Sequence, residues 1–412
     1  MRVGIVGTGI SGLVSAYLLS REHEVTVFEA GDHIGGHTVT TEVDSDDGSL
    51  AVDAGFIVYN EANYPNFVRL LAQLGVETQP TSMSLSVRCD RTGLEYAGTN
   101  LDTLFAQRSN LLRPEFYRFV GEILRFNRAA KSALGNGLRG TLGEFLAEND
   151  LSERLAERYV LPLAAAIWST EPQRALDTPA KFILRFLDNH NLLGTTGYHP
   201  WRVIKGGSAR YVEKLIVPFA DRIRLRTPVV RLERAVDGVR VVSDGGSERF
   251  DQVVVAAHSD QALRMLASPS PAESEILGAI GYQDNRAILH TDDSVLPRRR
   301  KAWASWNYRT PKTAGQPVAV TYNMTKLQTL PTDSAYCVSL NMASDIDKQS
   351  QIASFDFEHP LFTEGAVAAQ ARHAEISGTD RIHYCGAYWR NGFHEDGVVS
   401  ALTVGKSFGV SL

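Results

Sequence analysis

Near the start of the chain, Gly7-Thr8-Gly9-Ile10-Ser11-Gly12 has the spacing G-x-G-x-x-G. Each glycine in such a run has its own task. Gly7 lets the chain turn off a strand, Gly9 lets the backbone approach a pyrophosphate, and Gly12 lets helix and strand pack closely. A helix opening at Ile10 and Ser11 offers free N–H groups and the positive end of its dipole to phosphate. Glu29 follows at the spacing of about 20 residues at which an acid accepts hydrogen bonds from an adenosine ribose. A carboxylate there repels a 2′-phosphate, which argues against NADP. The chemistry these residues could do is dinucleotide binding.

The elements needed to hold them are written alongside. Val3-Gly4-Ile5-Val6 is the apolar run of a buried parallel strand. Leu13, Ala16 and Tyr17 then share one face of a helix, and Val25 to Phe28 is a second strand ending in Glu29. The segment Ala30-Gly31-Asp32-His33-Ile34-Gly35-Gly36-His37 adds a second glycine pair able to lie against the same pyrophosphate.

That order of motifs resembles the flavin-containing amine oxidase and phytoene desaturase superfamily, whose members carry E-A-x(4)-G-G-R and bind FAD. The resemblance implies an α/β fold: a Rossmann-like FAD-binding domain of the glutathione-reductase type with an inserted α+β substrate domain. It puts Ala30, Gly35, Gly36, His37 and Thr38 at the cofactor. His37 stands where the pattern has Arg, a donor whose charge depends on pH; a solvated loop histidine is the alternative. Asp53-Ala54-Gly55 looks like the D-x-G that follows in these flavoproteins. It implies that Gly55, Phe56 and Ile57 run close to the flavin, with Tyr59 and Asn60 nearby; for the aromatics, core packing is the alternative.

By the same likeness, the discontinuous FAD-binding domain covers 1–80, 201–260 and 379–412, and the substrate domain 81–200 and 261–378. Tyr64 to Leu74 reads as an amphipathic helix. Short strands at Ser84–Arg88 and Leu94–Ala97 give way to helices over Pro114–Leu134, Thr141–Glu148, Ser152–Tyr159 and Thr178–Asp188. Trp168, Phe182, Phe186 and His190 are read there as helix packing. Ile223–Leu232, Val239–Val242 and Gln252–Ala257 read as a three-stranded meander, in which Val229 or Val230 would bond adenine through its backbone. Strands are expected at Tyr282–His290, Ala302–Tyr308 and Val318–Met324.

Arg381 to Cys385 reads as a strand running into Gly386, and Asp396 as the N-cap of a closing helix. The resemblance implies that Gly386 meets the ribityl-pyrophosphate. Asp396, Gly397 and Val398 would open a helix under the flavin, where negative charge develops on reduction. Ala387 replaces a frequent acid, and Glu395 is the candidate to compensate. The family's lysine strand corresponds to Asn285-Arg286-Ala287-Ile288, where Arg286 is the nearest cation. Phe393 maps to one of the aromatic pair that flanks an amine. His394 is the candidate polar group facing the flavin and proton acceptor, and Tyr388 and Trp389 are candidate walls.

Bulk properties narrow the rest. The 412 residues are 43% hydrophobic and 22% charged, with a net charge of −5 and a pI near 6.1, so no basic field points to nucleic acid. No run of 18 apolar residues appears. The chain opens on a core strand, leaving no room for a signal peptide. Cys89, Cys337 and Cys385 form no CxxC or disulfide framework, which fits a reducing cytoplasm. No metal-ligand spacing occurs. Arg298-Arg299-Arg300-Lys301 is the densest charge run; it reads first as a solvated loop and second as a contact for an anionic lipid surface or an acidic substrate.

The nearest likeness is to a group of predicted NAD/FAD-binding proteins related to amine oxidases and often linked to lipid-modifying enzymes, one branch of which desaturates acyl chains. The expectation is an oxidoreductase with non-covalent FAD that removes a hydride from a lipid-like or other small substrate and passes electrons to an unidentified acceptor. The alternatives are a flavin amine oxidase, an NAD-dependent dehydrogenase, and a non-catalytic binding protein on the same scaffold.

Overall fold

The computed structural model describes residues 1–45, 48–194, 197–310 and 319–412. Strand β1 (Arg2–Val6) is buried after its first residue and leads into helix α1 (Ile10–Leu19). Nine of the ten residues of α1 are buried, because the helix is covered on all sides. Strand β2 (Glu24–Phe28) returns parallel to β1. Further along come helices α2 (Pro65–Gln73) and α3 (Ala209–Leu215), then strands β3 (Gln252–Val255) and β4 (Ile382–Tyr384), and last helix α4 (His394–Ser407).

The five-stranded parallel sheet runs Ile223–Arg224, β2, β1, β3, β4. Its apolar strands are sandwiched between the core of Leu13, Leu18, Tyr211 and Val398 and that of Phe250, Ile276 and Tyr384. The expected meander is therefore regrouped. The three-stranded antiparallel sheet is Val229–Ala235, Gly238–Ser243 and Gly246–Phe250, whereas Ile223–Arg224 and Gln252–Val255 join the parallel sheet. Val253, Val254 and Val255 are fully buried, as a central strand requires and a surface meander does not.

A second, seven-stranded sheet runs Gln351–Leu361, Gly281–His290, Cys337–Leu340, Ala319–Asn323, Trp306–Thr310, Leu85–Cys89, Leu94–Ala97. Trp306–Thr310 starts later than expected because Arg300–Ala302 forms a tight 3-10 turn; Val318 lies outside the described residues. Helices at Pro114–Gly135, Leu142–Glu148, Glu153–Leu155, Leu161–Trp168 and Ala180–Asn189 share a core with this sheet, around Phe119, Phe126, Phe145 and Leu184. The segment from Ser152 does not end at Tyr159. It widens into a π turn at Ala156–Val160 and continues to Trp168. Pro162 has no N–H for the Arg158 carbonyl, which instead accepts from the Tyr96 hydroxyl at 2.6 Å. Among the described residues no helix is long and apolar enough to cross a membrane.

Candidate functional site

The glycines of the first turn divide their work as their surroundings dictate. A Cβ on Gly12 would lie 2.0 Å from the Gly7 carbonyl oxygen, and one on Gly7, at φ +101°, 2.7 Å from that of Ala256. Both positions are closed by backbone. Gly9 has nothing within 4 Å, so its open side is space the protein does not fill. The first intrahelical bond of α1 runs from the Leu13 N–H to the Gly9 carbonyl at 2.9 Å. That leaves the amides of Ile10, Ser11 and Gly12 outside the helix ladder, beside this opening.

Three other segments close on the same place. Gly36, at φ +58°, is pressed against Gly9, since a Cβ there would meet the Gly9 Cα at 2.8 Å. The Glu29 carboxylate accepts from the Thr8 N–H at 2.9 Å and the Gly31 N–H at 2.8 Å. Arg226 and Thr227 donate their N–H groups to the Gly31 and Glu29 carbonyls at 2.8 Å, which brings the strand holding Val229 and Val230 alongside. Val230 itself is exposed, and Ala30 also faces solvent. At the other end, a Cβ on Gly397 would meet Ile10 Cγ2 at 2.6 Å and Ser11 Oγ at 3.0 Å. The first turns of α1 and α4 thus converge, with Val398 buried behind them. Open space at Gly9, free amides, a ribose-type carboxylate and two positive helix ends fit FAD, the cofactor of the resembled family.

Beyond α4 the cleft opens into a cavity of about 370 Å³. Phe56 and His394 stack at its inner end, ring centroids 3.5 Å apart. His394 Nε2 lies 3.1 Å from both Thr38 Oγ1 and the Tyr211 hydroxyl, and those two oxygens are 2.6 Å apart. Burial pushes the His394 imidazole down to about 3, so the ring is neutral near pH 7 and a weak proton acceptor. Gly55, Phe56, Ile57, His37, Phe393 and His394 all line the cavity. His37 is half-buried, which removes the solvated-loop alternative. Its charge is suppressed first by desolvation and then by the neighbouring His359 and His258.

Other candidates are elsewhere. Arg286 points outward from its strand and reaches Ser354 Oγ at 3.4 Å, because the two-residue alternation turns Asn285 and Ala287 inward instead. Tyr59 turns its ring away from the cavity, packing on Tyr64 and Phe67, while its neighbour Val58 lines the wall. Tyr388 and Trp389 belong to the core behind the parallel sheet. Gly386 is extended, with its N–H on Ser400 Oγ at 3.0 Å.

The acids of the closing motif serve helix ends. Phe393, not Asp396, is the N-cap of α4. Asp396 sits one turn in and accepts from the Phe393 N–H at 3.0 Å and the Asn391 N–H at 3.2 Å. Glu395 accepts from the Asn66 and Phe67 N–H groups at 3.1 and 2.9 Å, capping α2 rather than compensating for Ala387. Asp53 accepts from Thr40 Oγ1 and from the Ser208 N–H and hydroxyl at 2.6 to 2.9 Å, tying the start of α3 to its own strand.

Several wall residues escaped sequence reasoning. Trp168, Phe186 and His190 line the cavity rather than only packing helices, and Trp306, Tyr322 and His359 join them from the large sheet. Phe186 stacks on Phe393 at 4.8 Å and on His190 at 3.9 Å. The one signal available was the four-residue step from Phe182 to Phe186 to His190. Phe182 itself turns to a separate pocket, stacked on Phe362.

Residues 10–405 match the family model described as flavin containing amine oxidoreductase. A curated relative is AofH of Mycobacterium tuberculosis, a flavin-containing monoamine oxidase by name alone, 25% identical over 268 residues covering 62% of this chain and 56% of that one. The match spans about half the length of the curated relatives. Among solved structures, cyclohexylamine oxidase from Brevibacterium oxydans superposes with a TM-score of 0.71 at 17% identity, over 99% of both chains. A fatty acid isomerase from P. acnes does so with 0.69 at 13% identity, over 99% of this chain and 98% of that one.

Proposed function

This chain belongs to the family of flavin-containing amine oxidoreductases, FAD-dependent enzymes, and on that premise we propose that its cavity takes an apolar, acyl-like chain and oxidises it at a C–H bond. The fold alone does not choose a substrate, since amine and fatty acid names both occur among structures that share it. The observation that carries the reading is the charge of the wall. Among the described residues lining the cavity there is no Asp, Glu, Lys or Arg. The lining histidines His190, His359 and His394 are pushed by burial to about 4, 4 and 3, and His37 well below its usual value, so all four are neutral near pH 7. A charged substrate segment would lose its hydration and gain no counter-ion. A methylene chain loses nothing.

Bound FAD supplies the hydride acceptor and returns the two electrons to a further acceptor such as dioxygen or a quinone. In a desaturation one C–H bond would leave as hydride, the neighbouring C–H would release its proton to bulk water outside the cavity, and a C=C bond would form. The residues of this chain bind, orient and exclude solvent. Phe186, Phe393 and Trp168 clamp the chain from one side, and His394, held neutral by burial and fixed by Thr38 and Tyr211, orients the inner end rather than taking the proton. The same aromatic group leaves a second reading, oxidation of an amine that enters uncharged and packs between ring faces.

Anaerobic mixing of the yellow holoprotein with acyl lipids and with amines separates the two. Bleaching by the lipids is expected. Rapid bleaching by a primary amine, with none by any acyl chain, selects the amine reading.

A further inference from the structure

Among the described residues lining the cavity, Gly98, Thr99 and Tyr198 are the three that are exposed. Immediately after Thr99 the chain becomes unusual for a surface. Five of the twelve large apolar side chains exposed among the described residues fall between Leu101 and Leu124. Leu101 is 75% exposed and Leu112 88%, with Leu111 and Tyr117 about half exposed. Tyr117 hydrogen-bonds the Leu111 carbonyl at 3.0 Å, which holds these two together. Tyr117 and Leu124, seven residues apart, lie on one face of the helix Pro114–Gly135. Clustered exposed leucines mark an interaction surface, whereas scattered ones do not.

The charge around them has the opposite sign to that of the chain. Residues 98–118 and 298–301 together hold seven basic side chains, three arginines and then Arg298 to Lys301, against two acidic ones, Asp102 and Glu115, while the chain carries −5. The two segments are in contact. Lys301 Nζ reaches Asp102 at 3.3 Å, and Arg108 pairs with the same carboxylate, so one acid serves two cations. Arg300 lies over the Trp303 ring at 5.2 Å, 83% exposed, with the Asp293 carboxylate 4.0 Å away. Arg299 is different: it is spent on the buried Glu95 and holds the loop in place.

We propose that this face docks on an anionic lipid bilayer. Leu101, Leu111 and Leu112 enter the headgroup boundary, Arg108, Arg300 and Lys301 meet the phosphates, and the cavity mouth at Gly98 and Thr99 comes to rest at the surface. Exposed leucines beside cations that outnumber their acids are the chemistry of a peripheral membrane contact, which takes both burial of apolar area and electrostatic attraction. The docking itself is independent of the reaction; only its use, delivery of an acyl chain from the bilayer into the cavity, rests on the acyl reading above.

The test is flotation of the full-length FAD-loaded protein with phosphatidylcholine vesicles made with and without phosphatidylglycerol. Binding is expected only to the anionic vesicles, and to weaken at high salt. Arg300→Glu and Lys301→Glu should each lower vesicle affinity by at least roughly fivefold, since a basic side chain near such a surface is worth about that much. Leu101→Asp with Leu112→Asp should abolish binding while leaving the yellow colour intact, because neither side chain is buried. No binding to anionic vesicles, or binding indifferent to all four changes, overturns the proposal. So does a monomer on Leu112→Asp from an otherwise self-associated protein that does not bind vesicles. Bleaching by a detergent-dispersed acyl substrate is scored separately. If it occurs without vesicle binding, the reaction stands and the docking falls; vesicle binding without bleaching leaves the reverse.

Discussion

The cradle around Gly9 and the cavity beyond His394 meet at the first turn of α4, yet they are made of different materials. The cradle is main chain: the amides of α1, the carbonyls of Gly7, Gly31 and Glu29, and glycines pressed against them. The cavity is side chain, with rings from two helices, a large antiparallel sheet and the closing loop. A backbone surface tolerates one residue type at each point of contact. A ring-lined surface tolerates many, provided volume and polarity are kept. The first is therefore brittle and specific, and the second is where substrate choice can vary without loss of the fold.

The largest effect should come where the cradle is also structural. Gly12→Val drives a branched Cβ into the Gly7 carbonyl and should cost about 4 kcal/mol or more, in yield of folded protein and in Tm. Gly9→Ala is the contrasting case. Its backbone, at φ −64° and ψ 172°, suits alanine, and no protein atom lies near the new methyl. The apoprotein should melt as the parent does and yet bind flavin far more weakly, read as loss of yellow colour at equal Tm. If Gly9→Ala stays yellow, the cradle does not serve the cofactor, and the contrast with the cavity collapses.

That contrast also governs how much could be read from the sequence. Gly7, Gly9, Gly12, Glu29, Gly35, Gly36 and Gly397 were legible because each has a fixed local task and a fixed spacing. Arg286 and Tyr59 were misplaced by one strand position, because an offset of one residue along a strand turns the side chain to the other face. Asp396 has the residue type of a cap, yet the chain enters α4 a turn earlier, at Phe393. Trp168, Phe186 and His359 carry no motif at all. Only the packing of sheet against helices decides that they surround a void, and that is long-range information. Gln252–Val255 looks like a meander strand from local pattern for the same reason, since its parallel partners β1 and β4 lie far away in sequence.

Acid should separate the two regions next. His190, His290, His359 and His383 are pushed down to about 4 by burial, and His394 to about 3. Below the ordinary histidine value of about 6.5 the unfolded chain takes up protons that these rings refuse, so stability falls as pH drops from about 6.5 toward 4. Asp53 and Asp396 act the other way. Burial raises them to about 7 and 6, so the folded state holds their protons first and gains on acidification. Five histidines outweigh two carboxylates. Tm should decline through that window, and more steeply in Asp53→Asn, which removes one opposing group. Three of the five, His190, His359 and His394, line the cavity. A Tm that is flat from pH 7 to 4.5 would mean that the cavity wall is hydrated.

The smallest predicted effect probes the seam. Tyr211→Phe removes one hydroxyl from the triangle it forms with Thr38 and His394, and should cost about 1 kcal/mol, the net worth of one buried hydrogen bond. The cost is small because Thr38 Oγ1 still reaches Nε2 at 3.1 Å. Thr38→Val alone should be equally mild, with Tyr211 keeping the ring satisfied. The pair together leaves Nε2 buried without a partner. Desolvation then goes uncompensated, and the double variant should lose more than the sum of its parts by about 1 kcal/mol or more in urea unfolding. Flavin reduction should slow in the double variant with substrate binding unchanged, because the His394 ring is freed to turn while the wall of Phe186 and Phe393 stays in place. Simple additivity would mean that His394 is held by its stack on Phe56 alone, and the two regions would then be joined by packing rather than by hydrogen bonds.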